Sequence, residues 1–171
     1  MIRLMSGAPP MDTTTAQPNT TQAELAELHH QLARLTDHHD ISHVIHQLGQ
    51  CLDEARFDEM ADLFADDATA RTPGGQAQDR DALIAQASRS HPPEDRIQHL
   101  FGDMLIDIAD DQATVRANAL ITFARGDQAT TPDLTIGELY RFTLARSSSG
   151  WRITSVDGDQ VWLNGPGRPG T

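Results

Sequence analysis

The stretch that decides the fold is residues 98–124, QHLFGDMLIDIADDQATVRANALITFA. Its second half alternates. Ala113, Val115, Ala117, Ala119, Ile121 and Phe123 fall on one side, with Thr114, Arg116, Asn118 and Thr122 on the other. Successive side chains of a strand point to opposite faces, so a period of two over this length predicts a strand with one buried face. The pattern returns in 134–146, where Ile136, Glu138, Tyr140, Phe142 and Leu144 share a side. SSSG at 147–150 then turns the chain into WRITSV, followed by QVWL.

Upstream of Ile97 the period is close to 3.6. Leu25, Leu28, Leu32 and Leu35 form one helical seam, and Ile41, Val44, Ile45, Leu48 and Leu52 a second apolar face. Phe57, Met60, Leu63 and Phe64 predict a shorter amphipathic helix ending near DDATA, TPGG at 72–75 a turn, and 79–90 a further helix stopped by Pro92 and Pro93. Helices first and consecutive antiparallel strands after predict an α+β domain, helices packed on the concave face of a curved sheet. Such a cone encloses a pocket. Pro9, Pro10, Pro18 and a Thr-rich run predict a disordered tail over 1–20, and NGPGRPGT predicts another over 164–171. Between them the expectation is an extra N-terminal helix over 21–37 and the cone domain over 38–163.

The 171 residues carry a formal charge of −12, and all 13 basic residues are Arg. That usage, with Asp far in excess of Glu, fits the coding bias of a GC-rich bacterial genome. With no basic stripe, binding to nucleic acid through phosphates is not expected, nor is an anionic membrane surface. No apolar run approaches the roughly 20 residues of a membrane span, and the first 20 residues do not read as a secretory signal. A lone cysteine, Cys51, leaves no internal disulfide framework. A cytoplasmic protein acting on a small molecule is the expectation.

The helix–sheet order, with LDEARFDEMADLFADDATA, QHLFGDMLIDIADDQATVRA and a strand opening in GWRI, resembles the SnoaL-like branch of the nuclear-transport-factor-2-like superfamily. The likeness covers roughly 38–163. It rests on Leu52-Asp53, on Leu63-Phe64-Ala65-Asp66-Asp67-Ala68, on His99 opening the sheet, and on Asp110 to Val115. The resemblance implies a cone that pairs as a homodimer through its sheet. It also implies polyketide-cyclase, dehydratase or ketosteroid-isomerase-like chemistry, or binding without chemistry. Scytalone dehydratases are the functional template that aligns best. They carry an Asp at the helix end and a His in a QHFIG motif, which Asp53 and His99 match. Two tyrosines of that template correspond to Leu52 and Thr72, and its second His to Ala124, so scytalone itself is not implied as substrate.

His99 sits between Ile97 and Phe101 on one side of its strand, so its imidazole has apolar neighbours. An Asp in such a pocket has its charged form disfavoured, which suits a general acid or base. Asp53 and His99 are therefore the candidate catalytic residues. Phe64, Thr72, Phe101, Glu138 and Tyr140 are the candidate substrate-binding residues. Glu138 among Ile136, Phe142 and Leu144 needs a partner or a proton. His39, His43 and His46 have metal-ligand spacing but lie opposite the apolar face, on a solvent or subunit face, and no metal is assigned. There is no GxGxxG, GxSxG or phosphate loop, and no cofactor is expected. The reading is a cofactor-independent acid/base enzyme acting on a small, largely apolar, ring-bearing metabolite of bacterial secondary metabolism. Its alternative is a non-catalytic ligand-binding or assembly module. A third option, resembling the small chain of ring-hydroxylating dioxygenases, requires an iron-bearing partner.

Overall fold

Alternation governs more of the chain than the helical spacing upstream suggests. A computed structural model describes residues 20–126 and 128–166. Six strands form one sheet: β1 (Phe64–Thr72), β2 (Gly75–Ala77), β3 (Arg96–Ala109), β4 (Gln112–Ala124), β5 (Leu134–Ser147) and β6 (Gly150–Asn164). Their order is β2-β1-β6-β5-β4-β3. Every neighbouring pair is antiparallel except β1 with β6, which is parallel. The curved mixed sheet with its helices is the α+β cone that the pattern predicts. The β4 row Ala113 to Phe123 is buried as expected, and Arg116 and Asn118 are exposed.

Three elements differ from expectation. The two helices expected before residue 54 are a single helix, α1 (Thr20–Asp53). The intervening TDHHD contains neither Gly nor Pro, so nothing in the backbone stops the helix. The helix expected over 57–64 shrinks to a 3₁₀ turn at Glu59–Asp62, and Phe64 opens β1 instead. Phe64, Ala68 and Ala70 are buried from that strand, and the Ile153 N–H donates to the Leu63 carbonyl at 2.9 Å. Pairing with β6 outweighs a local helical spacing only two turns long. WRITSV and QVWL are one strand, β6. The helix over 79–90 is α2 (Arg80–Ser90), capped where Asp79 accepts the Ala82 N–H at 2.8 Å.

The described residues divide after Leu35 into two units. In the first, the α1 residues Leu25, Leu28, Leu32 and Leu35 are 48–68% exposed. The expected tails fall outside the described residues, apart from Thr20, which is helical, and Asn164 to Pro166, of which Asn164 ends β6.

In the second unit the core is continuous. Ile41, Ile45, Leu48 and Cys51 present one face of α1, and Met60, Ile121, Ile136, Phe142, Leu144 and Ile153 are among the other buried side chains. The outer sheet face carries an exposed apolar row. Leu100 pairs with Leu120, Leu120 with Gly137, and Gly137 with Trp162. Gly137 is required here, because a Cβ at that position would lie 2.3 Å from the Trp162 ring.

Asp37 ties α1 to the sheet. It accepts two hydrogen bonds at 2.7 Å from the Arg146 guanidinium and one at 3.1 Å from the Trp151 indole N–H. The guanidinium also lies 4.4 Å over the Trp151 ring. The Arg146 bonds, opposed by burial, hold the Asp37 carboxyl below its ordinary range. A carboxyl depressed in the folded state stabilises above its unfolded pKa, and that contribution is lost as pH falls through the folded value. Asp37→Asn is therefore expected to cost about 1–2 kcal/mol at pH 7. In urea unfolding, the gap to wild type should narrow from about pH 5 towards pH 3; an unchanged gap contradicts this assignment.

Candidate active site

The site begins where α1 ends. Asp53 is the last residue of that helix, and β3 is an edge strand, so N–H groups on its outer side have no strand partner. The Oδ1 atom of Asp53 takes the backbone N–H of His99 at 2.8 Å and meets Nδ1 of the same residue at 2.7 Å. One carboxylate oxygen thus caps the sheet edge and orients the ring. An ionised carboxylate only accepts, so Nδ1 of His99 carries the proton and Nε2 is left to face inward. The His99 side chain is 2% exposed, that of Asp53 22%.

A second histidine meets the first. His91 follows Ser90, the last residue of α2, and its Nε2 lies 3.4 Å from Nε2 of His99. Nδ1 of His91 donates to the Ala87 carbonyl at 2.9 Å, and Ser90 Oγ lies 3.3 Å from the same nitrogen. The rings stand 5.2 Å apart, tilted by 33°. Sequence reasoning missed His91. Its only local signal is its place at the end of a helix halted by two prolines, and its partner comes from a different element.

His91 borders a cavity of about 70 Å³ inside the cone, together with Phe64, Thr72, Gln86, Phe101 and Tyr140. Phe101 meets Tyr140 edge-on at 5.4 Å, and Tyr140 stacks on Phe142 at 5.6 Å. Gly158 makes room for the tyrosine: a Cβ there would lie 3.2 Å from the Tyr140 ring. Gln86 is buried and donates from Nε2 to Thr72 Oγ1 at 3.1 Å, which also accepts the Gly74 N–H at 3.2 Å. Of the expected binding residues, Phe64, Thr72, Phe101 and Tyr140 line this cavity. Glu138 does not. It is buried and borders a separate groove with Leu100, Leu120 and Trp162. Two residues along β5 separate it from Tyr140, a rise of roughly 7 Å, which carries it past the end of the cavity. Asp53 and His99 stand behind His91, and Asp53 borders an outer groove with Arg96 and Gln98.

The remaining candidates lie elsewhere. His39 and His43 are exposed and stacked at 6.1 Å, and His46 is exposed one turn on. Among the described residues no group of three or more His, Cys, Asp or Glu is placed to hold a metal ion, and no helix is long and apolar enough to cross a membrane. Cys51 is buried, and burial pushes its thiol pKa up, away from the thiolate a nucleophile needs.

Among solved structures, the fold is similar to an NTF2-like protein of cystatin-like fold from Novosphingobium aromaticivorans. The two are 22% identical with a TM-score of 0.70, over 80% of this chain and 90% of that one. It is similar also to a protein of the same organism provisionally named a scytalone dehydratase: 19% identity, TM-score 0.69, 78% and 90% covered. The hexachlorocyclohexane dehydrochlorinase LinA-type3 from Novosphingobium barchaimii shares 14% identity at a TM-score of 0.69, with 81% and 95% covered. At these identities the likeness shows the fold alone. No curated protein matches the sequence. The family match is of a different order, because residues 33–157, well over half of the chain, match the SnoaL-like domain. On that match, the protein belongs to the SnoaL-like domain family.

Proposed function

We propose that the chain is an acid/base lyase or isomerase that moves a proton on a small, largely apolar, ring-bearing metabolite. The observation that carries this reading is the orientation of His99 by Asp53 at 2.7 Å, directly behind the wall of an aromatic cavity. Asp53 serves as the orienting carboxylate, because its near oxygen is occupied by two hydrogen bonds from His99. The His99 imidazole that it orients lies behind the cavity wall and supplies the general base of the site. A proton leaves a substrate carbon, and the C–H electron pair either expels a leaving group or moves onto an adjacent carbonyl. Returning the proton to the leaving oxygen completes a dehydration; returning it to another carbon completes an isomerisation or assists a ring closure. Two imidazoles and a carboxylate suffice for these steps, so the reading invokes no cofactor.

The cavity bounds the substrate. At about 70 Å³ it is smaller than the ~150 Å³ at which an engineered apolar cavity takes up benzene. A ring must therefore extend through the open side or displace a lining side chain. Phe64, Phe101 and Tyr140 supply apolar walls, and the Thr72–Gln86 pair supplies the polar end. Cytoplasmic bacterial secondary metabolism is the proposed setting, supported by the arginine-only composition and the family.

A homodimer is part of the proposal. The outer row Leu100, Leu120 and Trp162, with Val161 and Leu105 beside it, is 38–67% exposed and lies on the sheet face. A contiguous apolar patch of this kind marks an interface. A second reading, an assembly module, is favoured by the exposed leucines of α1. Leu25, Leu28, Leu32 and Leu35 follow the alternating three-and-four spacing of a coiled-coil seam.

The enzymatic reading is tested by incubating the protein in D₂O with a panel of cyclic ketones and hydroxy-ketones, following water loss and deuterium uptake by mass spectrometry. Wild type is expected to turn over at least one member, and Asp53→Asn and His99→Ala to lose about 10²-fold or more with folding retained. Equal turnover in wild type and both variants removes the dyad. No turnover in wild type removes the enzyme and leaves the assembly module. For the dimer, light scattering should give twice the chain mass for wild type and the chain mass for Trp162→Glu; a monomeric wild type contradicts the interface.

A further inference from the structure

We infer that His91 is a second proton-holding residue of this site: its Nε2 and that of His99 form one acceptor, between which a proton taken from substrate is shared. The inference rests on reading the cavity as the active site, and it begins from hydrogen-bond arithmetic. A carbonyl oxygen can only accept, so the 2.9 Å contact with Ala87 fixes the proton of His91 on Nδ1. The Asp53 carboxylate fixes the proton of His99 on its Nδ1 in the same way. Each Nε2 then carries a lone pair and not a proton, and the two face each other at 3.4 Å. One added proton converts that opposition into an N–H···N hydrogen bond.

Each ring is backed by the negative end of another group. His91 stands at the C-terminal end of α2, an eleven-residue helix whose last carbonyls form the negative end of its dipole. Asp53 backs the other ring. Both imidazoles are shielded, His91 at 8% exposure and the His99 side chain at 2%, which strengthens a charge-assisted bond once formed. His91 is also the member of the pair that borders the cavity. The packing holds it there: its ring lies 6.4 Å from Phe123, and the two prolines after it end the helix.

The step balances without any outside reagent. A substrate C–H bond breaks and an N–H bond forms at one Nε2, while the other Nε2 accepts the hydrogen bond. The electron pair stays with the substrate, where it expels the leaving group or forms an enolate. The same proton then passes to the leaving oxygen or to a second carbon, and both rings return to their Nδ1–H tautomers. The captured proton is held by two nitrogens.

The test uses the full-length, ¹⁵N-histidine-labelled protein. Across a series of decreasing pH, wild type should develop one strongly downfield proton coupled to the Nε2 atoms of both His91 and His99. His91→Phe, which keeps a ring against Phe123, should lose that resonance while His99 keeps its Nδ1–H. On a substrate found with the panel above, His91→Phe should lower kcat at least tenfold with KM within about threefold, and His91→Gln should fail to rescue it. The absence of the shared proton in wild type, or a wild-type kcat in His91→Phe, overturns the proposal. A wild type that shows the shared proton yet turns over no substrate keeps the pairing and removes the enzymatic reading beneath it. The wild-type spectrum decides the pairing even where a variant fails to fold.

Discussion

One oxygen of Asp53 accepts twice from one residue, from the His99 backbone and from its ring, and the rest of the site depends on that pair of hydrogen bonds. The backbone half satisfies a donor that the edge strand β3 exposes. The ring half sets the tautomer. Neither can be lost without the other moving, because both end on the same atom. A carboxylate at the end of a long helix therefore fixes which nitrogen of the His99 imidazole faces His91.

From that fixed point the cavity is assembled by elements remote in sequence. α2 brings His91 and Gln86, β1 brings Phe64 and Thr72, β3 brings Phe101 and β5 brings Tyr140. The parallel pairing of β1 with β6 makes this possible, since it carries residues 64–72 into the sheet and turns Phe64 and Thr72 inward. The result is an apolar chamber with a polar pair at Thr72–Gln86 and an imidazole at His91. Such an arrangement offers apolar walls, a polar pair and an imidazole to the part of a ring that enters it through the open side.

The sheet was legible because its signal is strong and local: over residues 113–123 of β4 every second residue is apolar, and only Leu120 departs from the polar side. β1 was not, because Phe57, Met60, Leu63 and Phe64 satisfy a helical spacing and the competing signal, Phe64, Ala68 and Ala70, rests on small residues whose burial comes from β6. Asp53 and His99 were legible as types, through the resemblance, while their separation of 46 positions carries no geometry. Glu138 was assigned by parity, which gives the face of a strand but not the position along it. His91 lies outside every periodic pattern, and only the fold brings it to His99. The break expected between two N-terminal helices failed for a simple reason: a change in which face is apolar does not interrupt a backbone free of Gly and Pro.

The most direct test of the account is a crystal structure of the protein soaked with a small cyclic enone such as cyclohexenone. The account predicts density in the chamber between Phe101, Tyr140 and His91, with the carbon bearing the labile hydrogen closest to the two Nε2 atoms and Asp53 still bonded to Nδ1 of His99. A chamber that stays empty while the ligand settles on the outer sheet face or beside Asp53 in the outer groove would contradict it.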